Sequence, residues 1–249
     1  MVLVHPLGSQ WRIWEPVLPA LEQRFDVVAV DMPGFGESPP LPAGEIPSVP
    51  ALASAVAEEM DRLGLQTAHL VGNSIGGWTV LELAKLGRAS TVTAISPAGM
   101  ATDGERRYEA TSLVISRVLA RAMAPAAGVL TRSSLVRRLA WQNFARPTQV
   151  SPQQAAVAIR AYARSPAFPA ARRWLNSHAP ENLDRIHCPV TIAWGTKDRL
   201  IHPRQAQRWV DAIPGARLVE LPGLGHAPMS DDPELVAATI VEAATGPRP

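Results

Sequence analysis

The 249-residue chain contains very little cysteine or lysine. Its one cysteine, Cys188, excludes an internal disulfide and suits a reducing compartment, so we expect a cytoplasmic protein. Cys188 precedes Pro189 at the start of an apolar run, which is typical of a packed small side chain rather than a reactive thiol. Lys85 and Lys197 are the only lysines, so arginine carries almost all the positive charge.

Long hydrophobic runs, metal-ligand spacings and internal repeats are also missing. No uninterrupted apolar stretch has the length of a bilayer span, and the apolar start meets His5 and Pro6 too soon for a signal peptide. We therefore expect no membrane partner, no metal and no cofactor. The content of 47% hydrophobic and 18% charged residues is typical of a globular protein, with one large domain that carries an insertion.

Acidic residues are scarce between residues 100 and 178. This stretch holds 12 arginines, no lysine and three acids, for a net charge of +9, whereas the rest of the chain carries −7. Two interpretations stay open: the arginines attract an anionic substrate, or they are solvated helix faces. No nucleic-acid motif or interleaved aromatic pattern accompanies them, so we expect no nucleic-acid partner.

Strand-like and helix-like segments alternate along most of the chain. This alternation predicts an α/β fold with a doubly wound, mostly parallel sheet. Residues 100–178 contain helical patterns without a convincing strand. The predicted strands lie near 2–4, 26–30, 67–72, 91–96, 189–194 and 216–220, and the predicted helices near 11–23, 49–64, 76–87, 203–213 and 232–244.

The most informative motif is Gly-Asn-Ser-Ile-Gly at residues 72–76, between an apolar strand and a helical run. A serine on such a sharp strand-to-helix turn is held in a strained conformation as a nucleophile, and the flanking glycines let the strand and the helix approach each other closely. The helix after Ser74 directs its first amide N–H groups, including that of Ile75, toward any oxyanion formed there.

A serine nucleophile needs a general base, and the base needs an acid that orients it. In this architecture the acid and then the histidine follow the serine. Asp198 lies just past the strand 189–194, and His226 lies on a glycine-flanked loop after the strand 216–220. Both positions are at carboxyl ends of strands, where ligand chemistry occurs in open parallel sheets. Asp31, which ends an earlier strand, is the competing candidate for the acid.

With these motifs the chain resembles the α/β-hydrolase family over nearly its whole length. The resemblance implies a serine hydrolase without a cofactor, built from a core of residues 1–99 and 179–249 with an inserted helical cap at 100–178. The matching stretches are residues 5–8 (His-Pro-Leu-Gly), 31–38 (Asp-Met-Pro-Gly-Phe-Gly-Glu-Ser), 72–76, 195–198 (Gly-Thr-Lys-Asp) and 225–229 (Gly-His-Ala-Pro-Met).

The resemblance also implies an oxyanion hole made by the backbone N–H groups of Leu7 and Ile75. The family usually has glycine where this chain has Pro6, which lacks an amide donor and has a restricted φ. Family members usually carry a β-hairpin before this stretch, so either the hairpin is missing here or the given sequence begins after it. We therefore expect a shorter sheet whose strand 2–4 lies at an exposed edge.

The expected reaction is hydrolysis of a small ester-type substrate, a carboxylic ester, thioester or lactone, by a monomer or homodimer. Apolar residues of the cap, among them Leu113, Ile115, Leu119 and Trp141, predict a hydrophobic pocket. Two alternatives stay open. Asn73 resembles carbon–carbon hydrolases that act on anionic diketone-type substrates, and the chain could also be a non-catalytic ligand-binding member of the fold. Epoxide hydrolases of this fold use an aspartate nucleophile, so Ser74 disfavours that chemistry.

Overall fold

A computed structural model describes residues 1–140 and 143–246 and contains one six-stranded parallel sheet. The predicted doubly wound α/β fold is confirmed, and each predicted strand is present. The spatial order of the strands is β2-β1-β3-β4-β5-β6. They are β1 (Val2–Val4), β2 (Val28–Val30), β3 (Ala68–Asn73), β4 (Ala89–Ile95), β5 (Val190–Gly195) and β6 (Arg217–Leu221).

The exposed edge of the sheet is not where the sequence predicted it. β1 pairs with β2 on one side and with β3 on the other, so residues 2–4 are internal and that prediction is wrong. The chain crosses over after β1 and returns to add β2 outside it. Among the described residues, β2 and β6 are therefore the edge strands, and β2 is only partly buried.

Alternation along each strand divides the hydrophobic core into two layers. Val2 and Val4 belong to one layer and Leu3 to the other, since successive side chains of a strand point to opposite faces. Leu70 and Val71 of β3 divide in the same way. Each layer is covered by helices, so the sheet is buried on both faces, as a parallel sheet requires.

Of the five helices predicted for the α/β core, four are present and one is not. α2 (Val49–Arg62), α3 (Ile75–Lys85) and α9 (Gln205–Ala212) cover one face of the sheet, and α10 (Pro233–Thr245) covers the other. The helix predicted over residues 11–23 is instead a 3₁₀ turn, Trp11–Trp14, followed by the short α1 (Leu18–Leu21). Pro16 and Pro19 explain the interruption, because proline cannot donate to the preceding turn.

The described residues between Ile95 and Val190 form helices and no strand, as the sequence predicted, while the limits 100–178 of the cap stay a prediction. Trp141 lies outside the described residues. One segment, Asp103–Leu130, has the length and apolar composition of a membrane span, on those two criteria alone. The cap helices are α4 (Asp103–Met123), α5 (Ala127–Leu130), α6 (Ser134–Arg137), α7 (Pro152–Arg164) and α8 (Phe168–Leu175).

Candidate active site

Ser74 occupies the sharp turn between β3 and α3. Its backbone has φ 60° and ψ −120°, a region that non-glycine residues rarely adopt, so the turn is strained as the motif predicted. A side chain at Gly72 would collide with the backbone of Gly76, and one at Gly76 would collide with the carbonyl groups of Val4 and His5. Glycine is therefore required at both positions for the strand and the helix to meet.

His226 and Asp198 form a buried pair at the carboxyl ends of the strands. His226 Nδ1 lies 2.8 Å from Asp198 Oδ2, and both side chains are almost fully buried. The other carboxylate oxygen of Asp198 accepts hydrogen bonds from the backbone N–H groups of Leu200 and Ile201, each at 2.9 Å. These bonds fix the carboxylate, so that the imidazole has one defined orientation.

Asp31, the competing acid, is used elsewhere. Its two oxygens accept hydrogen bonds from the backbone N–H groups of Trp11 at 2.7 Å and Glu37 at 3.0 Å. It therefore holds the loop after β2, and Asp198 is the acid that meets His226.

His226 Nε2 is buried and has no hydrogen-bond partner within residues 1–140 and 143–246. The hydrogen bond from Ser74 to His226 that the chemistry needs is thus not formed in this structure. Catalytic hydrogen bonds are often long in the absence of substrate. The nitrogen is left with an unused lone pair, and the catalytic roles of Ser74, Asp198 and His226 stay a prediction.

Both predicted oxyanion donors belong to residues near Ser74, and their role stays a prediction. Ile75 is the first residue of α3, so its N–H has no acceptor within its own helix. Leu7 lines the same pocket as Ser74, in a turn closed by a 3.1 Å hydrogen bond from Ser9 N–H to the Pro6 carbonyl. The turn accommodates Pro6, whose missing donor is not needed there.

His5 fixes the start of this turn. Its Nδ1 lies 2.8 Å from the Pro6 carbonyl, and its Nε2 accepts from the backbone N–H of Met32 at 3.1 Å. Burial lowers the pKa of His5, which keeps the imidazole neutral and suits this pair of bonds. His5 thus links the turn to the loop after β2.

The pocket above Ser74 is mainly apolar and is covered by the cap. α4 contributes Arg106, Glu109 and Leu113 to its lining, and α8 contributes Leu175. Of the cap residues expected to form the hydrophobic pocket, Leu113 lines it, whereas Ile115 and Leu119 are exposed.

Arginines of the cap hold the cap together. Arg106 donates to the backbone carbonyls of Ala101, Leu175, Asn176 and His178. Arg117 likewise donates to carbonyls, at 2.8–3.0 Å. Among the described residues, Arg106 is the arginine that lines this pocket. Because its donors already bind backbone carbonyls, it does not support the interpretation in which the cap arginines bind an anionic substrate.

The profile of the alpha/beta hydrolase family matches residues 1–239 of the sequence. The chain belongs to this family. The sheet order, the strained Ser74 turn and the His226–Asp198 pair are the structural counterparts of that match.

Several members of the family are similar to this hydrolase over most of their length. The epoxide hydrolase EphH of Mycobacterium tuberculosis is 33% identical over 208 residues, which cover 77% of this chain and 94% of that protein. The pimeloyl-[acyl-carrier protein] methyl ester esterase of Chromobacterium violaceum is 29% identical over 250 residues, covering 96% and 91%. The crystal structure of the enol-lactonase from Burkholderia xenovorans LB400 superposes with a TM-score of 0.74 at 25% identity, covering 98% and 90%. All three named proteins are hydrolases, which supports hydrolase activity here.

Sequence reasoning missed the positioning roles of two polar residues at the site of this hydrolase. Asn73 donates through Nδ2 to the carbonyls of Ile95 and His226, each at 3.0 Å, and so ties the serine turn to the histidine loop. This structural use accounts for Asn73 without the carbon–carbon hydrolase interpretation.

Asp231 is the second missed residue. Its buried carboxylate accepts from the backbone N–H groups of Ala145, Arg146 and Gly225 at 2.8–2.9 Å. It therefore joins a segment of the predicted cap to the residue just before His226. The sequence does show an aspartate shortly after His226, but it does not show which distant backbone amides that aspartate binds.

Proposed function

We propose that this protein is a serine hydrolase that cleaves small ester-type substrates, carboxylic esters, thioesters or lactones, through an acyl-enzyme on Ser74. The observation that carries the proposal is the strained serine turn together with the buried His226–Asp198 pair at 2.8 Å. The esterase and the lactonase among the similar proteins support the same class of substrate.

In the first half of the reaction, Ser74 Oγ attacks the carbonyl carbon and its proton passes to His226 Nε2. Asp198 stabilises the resulting imidazolium, and the N–H groups of Leu7 and Ile75 bind the tetrahedral oxyanion. The intermediate collapses as His226 gives the proton to the departing alcohol or thiol. In the second half, His226 removes a proton from water as the water attacks the acyl-enzyme, and it then gives this proton to the departing Ser74 Oγ, which releases the acid and regenerates the enzyme.

Epoxide hydrolysis is the competing chemistry, since EphH bears that name. Attack of the Ser74 hydroxyl on an epoxide carbon would leave an ether-linked enzyme with no carbonyl carbon for water to attack, so a serine nucleophile suits acyl transfer better. Ser74 at the turn therefore favours ester hydrolysis over epoxide hydrolysis.

The test is a burst experiment with short-chain and medium-chain p-nitrophenyl esters. Wild type should release p-nitrophenol with a burst, and Ser74→Ala should reduce turnover by at least about 10³-fold. Asp198→Asn should reduce it strongly as well, whereas Asp31→Asn should leave a folded enzyme with a burst. Styrene oxide serves as the competing substrate. Hydrolysis of the epoxide but of none of the esters by folded wild-type protein would overturn the proposal.

A further inference from the structure

Glu109 is the acidic side chain among the described residues that line the pocket with Ser74. It lies on α4, one turn after Arg106 and one turn before Leu113, which face the same pocket. Most of the other lining side chains are apolar, such as Leu7 and Ile201. A carboxyl group in such surroundings is costly unless something compensates it, so its partners reveal what the pocket is built to hold.

The described structure gives Glu109 no cationic partner. Its Oε1 accepts a 2.7 Å hydrogen bond from Nε2 of Gln205, a neutral and fully buried amide. The nearest arginine on its own helix face, Arg106, directs its donors to backbone carbonyls. Glu105, one turn earlier on the helix, does have a cationic partner, since it forms an ion pair with Arg208 at 2.6 Å. The pocket thus contains a carboxyl group that has unused acceptor capacity and forms no ion pair with a described residue.

The titration of Glu109 agrees with this geometry. Burial raises its pKa to about 7, against the opposing effects of the Gln205 hydrogen bond and the charge of His226. The negative charges of Glu105 and Asp198 raise the pKa further. A hydrogen-bond donor of a ligand would stabilise the ionised carboxylate of Glu109, for which the described residues supply no ion pair.

We propose that Glu109 is a substrate-recognition residue that selects esters carrying a hydrogen-bond-donating group, an ammonium above all, and disfavours esters carrying a carboxylate. The inference rests on the proposed ester hydrolysis at Ser74 and adds its substrate class. It reverses the interpretation in which the basic cap attracts an anionic substrate, because Glu109 lines the pocket with unused acceptor capacity, whereas the donors of Arg106 are directed to backbone carbonyls.

Two matched ester series test the proposal. One places the variable end on the acyl side, as p-nitrophenyl esters of aminohexanoate, hexanoate and adipate. The other places it on the alcohol side, as butyrate esters of aminohexanol, hexanol and hydroxyhexanoate, followed by pH-stat titration. Wild type, Glu109→Gln and the control Glu105→Gln are compared. The control removes an acid from the same helix, and glutamine can keep the capping interaction with Thr102.

In at least one series, wild type should prefer the ammonium ester over the carboxylate ester by about tenfold or more in kcat/KM, mainly through KM. Glu109→Gln should bring that ratio close to one, and Glu105→Gln should preserve it. The ratio for ammonium over neutral ester should rise as the pH passes about 7 in wild type and stay flat in Glu109→Gln. A ratio near one in both series of wild type, or a ratio unchanged by Glu109→Gln, would overturn the inference.

A binding measurement separates this inference from the proposed function. Ser74→Ala protein is heated with hexylammonium or with hexanoate, and the shift in Tm is recorded. Stabilisation by hexylammonium that disappears in the double variant with Glu109→Gln supports recognition by Glu109 even if no ester is hydrolysed. Equal shifts with both ligands would contradict recognition, whereas absence of ester turnover by wild type would contradict the proposed function alone.

Discussion

Two helices beside the Ser74 pocket, α3 and α4, are built differently in this protein. α3, which follows Ser74, has nine buried residues out of 11, whereas α4, which covers the pocket, has three out of 21. Several large apolar side chains of α4 are exposed, including Ile115 and Val118. α3 is therefore held by packing, and α4 must be held by something else.

Hydrogen bonds and helix caps hold α4. Thr102 and Glu105 form a capping box at its start, and Arg117 binds two carbonyls of the neighbouring cap segment. Although burial alone would raise the pKa of Glu105, hydrogen bonds from Arg208 and Thr102 outweigh it and lower the pKa to about 2. A region held by a few polar contacts tolerates sequence change more easily than a packed helix. The proposed nucleophile, Ser74, thus directly precedes a packed helix, whereas Glu109, the proposed substrate-recognition residue, lies on the less buried α4.

The largest expected effect is that of a methyl group on a glycine of α3. Gly76→Ala would place a Cβ against the carbonyl groups of Val4 and His5, so the free energy of unfolding should fall by about 4 kcal/mol. Urea denaturation measures the change. The matched control is Gly104→Ala in α4, where a Cβ meets nothing within 4 Å. It should stabilise by about 0.5–1 kcal/mol. Similar losses at both glycines would refute the contrast between the helices.

A pH-dependent effect follows from Glu109. Its folded-state pKa of about 7 lies above the ordinary value of 4.5, so the folded protein holds a proton that the unfolded chain releases. Stability from this residue is complete below pH 4.5 and is lost as the pH rises through about 7. Glu109→Gln should therefore stabilise the protein at pH 8 by up to about 3 kcal/mol. It should bring little gain at pH 4. Urea denaturation at both pH values gives the comparison, and equal gains would rule out the raised pKa.

The smallest expected effect concerns an arginine of the cap. Arg117→Met removes the donors to the Tyr162 and Ser165 carbonyls and the contact of the guanidinium with the Phe168 ring, so unfolding should cost about 2 kcal/mol less. Arg107→Met, at an exposed position of the same helix, should change stability by less than about 0.5 kcal/mol. Thermal unfolding monitored by circular dichroism distinguishes the two. If Arg117 were only a solvated charge, both variants would behave alike.

Sequence reasoning succeeded where a feature depends on neighbouring residues. The Ser74 turn was predictable because two glycines and an apolar strand surround it, and Asp198 and His226 were predictable because each lies on a loop just after a predicted strand. It failed at residues 11–23, where Pro16 and Pro19 outweighed the apolar pattern, and at the sheet edge, which depends on the crossover that places β2 beside β1.

Sequence reasoning could not predict the hydrogen-bond partners of buried polar groups. Asp31 and Asp198 both follow apolar strands, and only the folded chain shows that one binds loop amides and the other His226. Asp231 was missed for the same reason, since the amides that it binds include residues 145 and 146, far away in the chain.

The sequence by itself determined the alternation of strands and helices, the strained serine and the order of serine, acid and histidine, because periodicity and turn chemistry act over a few residues. The tertiary structure decided which acid meets His226, which arginines are bound to carbonyls and that Glu109 reaches the pocket without a cation. Those outcomes depend on desolvation and on contacts between distant segments, and neither exists until the chain has folded.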